Sequence, residues 1–304
     1  MLLSICIPCF KRINEVRNTL ISIYSENSDV SLDNYEVVIS DNDPDSEIED
    51  LLSEFPYPNL KYHKTKCEGF MNSYYVLTYA AGDFLKLHNS QSLFRKGALK
   101  SIIEDIKKAK ATNDYIFYTN GMLNNNNILV FQDYNSFMST LSFWSSWSNG
   151  FCIWKKQFDI IKNCQLNKLF PHTSLFLAQS NAPTYYINDK YLFEVQRIPK
   201  RGGHNKFAAF TLDYPYLIDK HYKQGKISKH TKNIIFRGLI TQMLPTLLFN
   251  KYIARIECFE ISGYRKNISI YFPWVAYWLT FLLTPFVPFY KIYNRIKRMD
   301  FFEK

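Results

Sequence analysis

The feature that most constrains this chain is an alternation, over its first 120 residues, of short apolar runs with segments whose apolar residues recur every three or four positions. Leu2–Pro8 and Tyr35–Ser40 are apolar runs of strand length without clean in–out alternation, as strands buried on both faces are, and Leu60–His63, Asp83–Leu87 and Tyr115–Thr119 read as further strands. Between them, Ile13, Val16, Leu20 and Tyr24 mark one helix face, and Ile48, Leu51 and Leu52 a second. The Met71–Ala81 segment supplies a third, and Ala98, Leu99, Ile102, Ile103 and Ile106 a fourth. Strands and helices alternating in this way need right-handed crossovers, which predicts an α/β fold with a doubly wound, mostly parallel sheet flanked by helices. Ligands of such sheets bind beyond the carboxyl ends of the strands. That rule gathers Pro8–Arg12, Asp41–Asp45, Lys64–Gly69 and His88–Ser92 onto one rim, although they are far apart in sequence.

Past residue 120 the pattern weakens into an Asn124–Asn127 turn and an aromatic stretch, Phe143–Trp154, with Gly150 near its centre. Residues 205–222 and 228–248 read as helices, with Pro245 interrupting the second. Phe272 to Tyr290 contains no charged residue, and Lys291, Arg295, Lys297 and Arg298 follow it. Its length approaches the ~20 residues that span a bilayer, but Pro273, Pro285 and Pro288 argue against a straight span. Aromatics beside basic residues suit a segment lying in the headgroup region of an anionic membrane.

A formal net charge of +10 calls for an anionic partner. No zinc-finger, helix-turn-helix or RNA-recognition pattern accompanies the basic clusters, which argues against nucleic acid. Six scattered cysteines with no secretory signal before them predict free thiols in a reducing compartment. Cys6 and Cys9 have the spacing of a redox dithiol, and a thioredoxin-like oxidoreductase is the reading that pair supports. An odd spacing along a regular strand, however, sends two side chains to opposite faces.

The motifs themselves carry a resemblance. Ser4-Ile5-Cys6-Ile7-Pro8-Cys9-Phe10-Lys11-Arg12 resembles the opening strand and "IPTYNR" turn of family 2 glycosyltransferases with the GT-A fold. Val37-Val38-Ile39-Ser40-Asp41-Asn42 resembles their second strand with its nucleobase-binding Asp. Gly69, Asn72 and Ala80-Ala81-Gly82-Asp83-Phe84 follow the helix and strand that lead to the family's metal motif, and Gly97-Ala98-Leu99 matches the helix beyond it. Several motifs in the right order over roughly the first hundred residues are far more specific than any one of them.

The resemblance implies a GT-A domain over residues 1–212, with a nucleotide-sugar half of about 1–120 and an acceptor half of about 121–212. A helical region over 213–304 would follow, carrying a membrane-associating segment at 272–290. It further implies transfer of a sugar, with inversion, from a nucleoside diphosphate donor, UDP-linked by expectation, to a lipid-linked saccharide. Cell-surface polysaccharide synthesis of the capsule or O-antigen kind, by a peripheral protein on the cytoplasmic face of the membrane, is the corresponding setting. Pro8, Arg12 and Asp41 would contact the nucleoside, with Lys64 and Asn72 in the same pocket.

At the chemically central place the sequence departs from the family. Relatives carry an Asp-x-Asp-type motif after the fourth strand, whose carboxylates hold Mg²⁺ or Mn²⁺ against the donor diphosphate; here the stretch is His88-Asn89-Ser90-Gln91-Ser92. Hard cations prefer charged oxygen ligands, which amides do not supply. Three outcomes are open. Metal would be held weakly through substrate phosphates; or side-chain cations would replace it, the candidates being Lys64, Lys66, His88, Arg201, His204 and Lys206; or the chain is a non-catalytic nucleotide-sugar-binding or scaffold subunit. The loop Lys200–Lys206 opens a helix and is a candidate lid. For the general base that an inverting transfer needs, His172 is the candidate, with Asp159, Asp189 and Glu194 as rivals. Trp144, Trp147, Phe151 and Trp154 would line the acceptor side.

Overall fold

A computed structural model describes residues 1–45, 47–196 and 203–299. The chain forms two compact units, one of Met1–Asn120, Asn127–Gln132 and Trp147–Ile198, the other of Gly121–Asn126, Asp133–Ser146 and Pro199–Lys304.

The strands of the first unit are β1 Leu3–Cys9, β2 Tyr35–Asp41, β3 Leu60–Lys64, β4 Phe84–Leu87, β5 Ser92–Phe94, β6 Tyr115–Tyr118, β7 Ile128–Phe131, β8 Cys152–Trp154, β9 Tyr185–Asn188 and β10 Phe193–Val195. Five of them make one sheet in the order β3-β2-β1-β4-β8. The first four run parallel, and β8 closes the edge antiparallel to β4. Every residue of β2 and β4 is buried, which is why neither shows an alternating pattern in sequence. Helices α1 (Ile13–Tyr24) and α2 (Asn72–Tyr79) lie on the crossovers from β1 to β2 and from β3 to β4, and α3 (Ala98–Ala109) connects β5 to β6. Leu99, Ile102, Ile103 and Ile106 of α3 join Val16, Leu20 and Ile23 of α1 in a core built on Ile5, Ile7, Val37 and Ile39. From β1 the chain steps outward through β2 to β3 and then returns to place β4 on the other side of β1. This reversal opens a crevice beyond the carboxyl ends of β1 and β4, the place where doubly wound sheets take their ligands. The acidic segment after β2 forms a 3₁₀ helix, Glu47–Ser53, rather than an α-helix, still burying Ile48 and Leu51.

At the opposite end of the sheet, Glu36 is buried at the start of β2. Its Oε1 accepts the Ser4 hydroxyl at 2.6 Å and the Ala81 and Gly82 amides at 2.6 and 3.2 Å, while Oε2 pairs with Lys61 Nζ at 2.6 Å. The Ala80–Asp83 motif is therefore the turn that seats β4 beside β1. A Cβ on Gly82 would lie 2.7 Å from Ser4 Oγ and 2.9 Å from the backbone of Leu3 and Ser4. One on Gly150 would lie 2.4 Å from Phe117 Cε1 and 2.5 Å from Tyr118 O. Gly82→Ala and Gly150→Ala are each expected to destabilise by about 1–3 kcal/mol through forced backbone shifts. Chemical denaturation checks this; a loss under about 0.5 kcal/mol, within the range of an ordinary surface change, would count against the close approach.

A second small sheet pairs β5 with β10, and a third has the order β6-β9-β7. In the other unit the residues are mostly helical. Pro245 does not interrupt its helix: a π-helical turn, Leu239–Met243, precedes Leu244–Leu248, and a second, Phe249–Ile253, follows. Pro215 is handled the same way, after the π turn Ala209–Asp213. A proline removes an amide and crowds the carbonyl four residues back, and widening the preceding turn accommodates both. Helices Trp274–Leu283 and Val287–Met299 are joined by a 3₁₀ turn at Thr284–Phe286. By length and composition Trp274–Lys297 is long and apolar enough to cross a membrane, and 17% of its most apolar window is buried.

Candidate active site

The rim is built from the turn after β1, the loop after β2 and the segment after β4. Lys11 and Arg12 both take left-handed backbone conformations, with φ of 58° and 69°, turning the chain sharply from β1 into α1. Asp41 is fully buried at the end of β2. Its Oδ1 accepts the Asp43 amide at 2.9 Å and its Oδ2 the Tyr62 hydroxyl at 3.1 Å. Burial outweighs these bonds and raises its pKa above the usual carboxylate value. Lys64 donates to the carbonyls of Asp43 and, at 3.1 Å, Pro44, so it shapes the loop after β2. Lys11 pairs with Asp45 at 3.2 Å on the outside of the same loop, and Lys66 is exposed beyond it.

Asn72, at the start of α2, ties two of these segments together. Its Nδ2 lies 3.1 Å from Cys9 O, 2.8 Å from Ser40 O and 3.1 Å from Asn42 Oδ1, and its Oδ1 accepts the Ser40 hydroxyl at 2.5 Å. Pro8, partly buried, pairs in register with Ser40. Across the crevice, Arg12 Nη1 donates to Gln91 Oε1 at 2.8 Å. Asn89 receives the Ser148 hydroxyl on Oδ1 at 2.9 Å and gives its amide to Asn149 Oδ1 at 2.7 Å. Ser90 accepts the Thr19 hydroxyl on its carbonyl at 3.1 Å. Six residues read from the sequence, Pro8, Arg12, Asp41, Asn72, Asn89 and Gln91, thus meet along one rim.

His88 is not among them. His88 is completely buried, its ring centroid 4.4 Å from that of Phe94 and 5.2 Å from Phe193, with Nε2 2.6 Å from Ser92 O. Burial and the neighbouring Lys86 push its pKa well below the ordinary histidine value, so it presents no cation to the rim. Arg201 falls outside the described residues. His204 belongs to the second unit, 5.0 Å from the Phe259 ring, and Lys206 of the same unit pairs with Glu257 at 2.8 Å. His172 lies in the fully buried helix Pro171–Leu177, its ring 6.3 Å from that of Phe170. Of its rivals, Asp189 accepts the Thr119 hydroxyl at 2.6 Å, Asp159 pairs with Lys155 and Lys162, and Glu194 faces Arg95. Phe151 and Trp154 are core residues rather than cleft lining: Phe151 is fully buried, and Trp154 gives its indole N–H to Asp114 O at 2.8 Å. Trp144 and Trp147 are half-buried. Cys6 and Cys9 are separately buried free thiols, and desolvation raises both pKa values, which removes the thiolate that redox chemistry needs.

One residue of this region escaped the sequence reading. Lys86, inside β4, is fully buried and donates to Leu87 O at 3.0 Å and Asn149 O at 2.7 Å. Its ammonium lies 4.6 Å from the Phe193 ring centroid and 5.5 Å from that of Tyr118. Burial pushes its pKa down to about 8, which still leaves it charged at neutral pH. A lysine in the middle of Phe84-Leu85-Lys86-Leu87 was the signal.

Comparison with known proteins agrees with the architecture. A family model described as glycosyl transferase family 2 matches residues 4–158. No curated protein matches the chain in sequence. Among solved structures, S. aureus TarS 1-349 in complex with UDP-GlcNAc superposes with a TM-score of 0.58 at 15% identity, over 83% of this chain and 76% of that one. The mannosyltransferase PcManGT from Pyrobaculum calidifontis, in complex with GDP-Man and Mn²⁺, gives 0.54 at 13% identity, over 98% and 86%. At such identities the likeness is one of fold, and it is the fold derived above from apolar runs and their crossovers. Since the family model spans about half of the chain and covers all three segments of the rim, the protein belongs to glycosyl transferase family 2 and is a glycosyltransferase.

Proposed function

We propose that the protein moves a sugar, with inversion, from a nucleoside diphosphate donor, UDP-linked, to a saccharide carried on a membrane lipid, working from the cytoplasmic surface of the membrane during polysaccharide assembly. The rim supplies the donor half of this reading: Asp41 offers a carboxylate to the N–H of a base, and Arg12 a guanidinium to phosphate. We keep His172 as the general base; since its helix Pro171–Leu177 is buried, the acceptor hydroxyl would have to be brought in to it. Solved structures of similar fold hold UDP-GlcNAc and GDP-Man, which supports a sugar nucleotide as donor.

The observation that carries the membrane half is the exposed face of the last two helices. Trp274 is 73% exposed, Trp278 60%, Leu282 67% and Phe289 70%, and Lys291, Arg295 and Lys297 follow along the same stretch. An apolar face of this size next to cations matches the acyl–headgroup boundary of an anionic bilayer. Membrane residence makes sense for an enzyme whose acceptor is confined to that surface.

The test combines sugar nucleotides with vesicles of mixed neutral and anionic lipid. We expect one donor to be cleaved or transferred and the protein to sediment with the vesicles. Trp278→Glu with Leu282→Glu should lower the bound fraction more than about tenfold, since each large apolar side chain contributes roughly 1.5–3 kcal/mol when buried. Full activity on a water-soluble acceptor combined with no vesicle binding would remove the lipid-linked acceptor from the reading.

A further inference from the structure

The segment that should hold the divalent ion does not fit one. It contains no carboxylate, and its amide oxygens are engaged: Asn89 Oδ1 accepts from Ser148, and Gln91 Oε1 accepts from the Arg12 guanidinium. A metal approaching Gln91 would meet a cation already there. The rim's carboxylates sit at the end of β2 and on the loop after it: Asp41 is bonded to Tyr62 and the Asp43 amide, the buried Asp43 takes the Asp45 amide on Oδ1 at 3.4 Å with Lys11 Nζ 4.0 Å away, and Asp45 pairs with Lys11. Among the described residues no group of three His, Cys, Asp or Glu side chains is placed to hold a metal.

Positive charge stands there instead. The Arg12–Gln91 bond crosses the crevice opened by the reversal of strand order between β1 and β4, so the guanidinium is held where a donor's phosphates would enter. Lys86 adds a buried ammonium beneath the same segment, held on the carbonyls of Leu87 and Asn149. Of the other candidate cations, Lys64 is bonded to two carbonyls, His88 is buried and neutral, Lys206 is paired with Glu257, and Lys66 is exposed to solvent.

We propose that Arg12, steadied by Gln91, replaces the divalent ion as the counter-charge of the donor diphosphate, so that donor binding and cleavage need no divalent metal. This rests on the reading of the rim as a nucleoside diphosphate site. A guanidinium is permanently charged and presents two parallel N–H groups to phosphate oxygens. In the transfer, the bond from the anomeric carbon to the diphosphate oxygen breaks and the diphosphate leaves with the electron pair. The acceptor oxygen forms the new bond, its proton passes to the general base, and Arg12 stabilises the charge that grows on the leaving oxygen.

Calorimetric titration of UDP and of GDP into the full-length protein, once in EDTA and once in excess Mn²⁺, tests the idea. The better-binding nucleotide should show affinities within about threefold of each other in the two buffers. Arg12→Ala should weaken binding by roughly 10- to 100-fold, the range for a charge-assisted contact. Arg12→Gln, which keeps a donor for Gln91 without the charge, should weaken it similarly with an unchanged melting temperature. Asn89→Asp combined with Gln91→Asp should create a metal requirement, with binding about tenfold or more tighter in Mn²⁺ than in EDTA. A wild-type protein that binds only with Mn²⁺, or an Arg12→Gln variant that binds as tightly as wild type, overturns the proposal while leaving the donor-site reading intact. Binding of neither nucleotide in either buffer overturns both.

Discussion

Replacing Asn72 with alanine is expected to remove about 1–3 kcal/mol of stability and to weaken nucleoside diphosphate binding by about tenfold or more. The amide of Asn72 is buried and reaches both strands that frame the side of the rim proposed to meet the base, through Cys9 O and Ser40 O, as well as Asn42 in the loop beyond. Truncation leaves the carbonyl of Ser40 with the weaker Cys9 thiol, 3.5 Å away, as its side-chain donor, and an under-satisfied buried group costs about 1–3 kcal/mol. The carbonyl of Cys9 fares better because it also accepts the Asn42 amide at 3.2 Å, and the Ser40 hydroxyl keeps Thr65 at 2.7 Å. The effect on binding follows from geometry: Asp41 and Asn42 follow Ser40 directly, so loosening Ser40 displaces the carboxylate that would meet the base. Urea denaturation gives the first quantity, and titration at a temperature where the variant stays folded gives the second. A loss below about 1 kcal/mol, or unaltered affinity, would show that the contacts of Asn72 are incidental.

How much of this was legible in the sequence depends on how local each feature is. Three of the four parallel strands could be read because strands covered on both faces appear as apolar runs, whereas β3 is a partly exposed edge strand, and the ligand rule for such sheets then placed the rim. Arg12 and Gln91 were both read as rim residues, but their bond was not, since it joins residues 79 positions apart. His88 misled for a related reason. A histidine at the end of a strand reads as a ligand, and what packs on it is Phe94 and Phe193, each from a three-residue strand too short to carry a period. Lys86 and Glu36 hid inside apolar runs because their partners come from other segments: Asn149 for the lysine, Lys61 and the Ala81–Gly82 turn for the glutamate. Pro245 reads as a break by local rules, and only the π turn before it shows how the helix continues.

Glu36 should then behave as a buried acid whose charge the fold requires. Burial alone would raise its pKa, but Lys61, the Ser4 hydroxyl and the Ala81 amide together bring it below the ordinary glutamate value. Glu36→Ala is expected to cost about 3–4 kcal/mol, because the Ser4 hydroxyl and the Ala81 amide lose their acceptor at once; Gly82 N–H retains Ser4 Oγ at 2.8 Å. Lys61 is partly exposed and turns to water at little cost. Glu36→Gln keeps a neutral acceptor and should lose only about 1–2 kcal/mol, which separates the charge from the hydrogen bonds. The sign of the pH dependence follows from the depressed pKa. Below the unfolded value of about 4.3 the unfolded chain binds a proton that the folded protein still refuses, so this contribution is complete above that pH and is lost as pH falls through the folded value. Other carboxylates titrate in the same window, so the informative quantity is the stability of wild type minus that of Glu36→Gln. That difference should be constant from about pH 5 to 7 and shrink below about pH 4. A difference that widens on acidification would mean that Glu36 is held protonated, and that the turn seating β4 beside β1 depends on its shape and not on its charge.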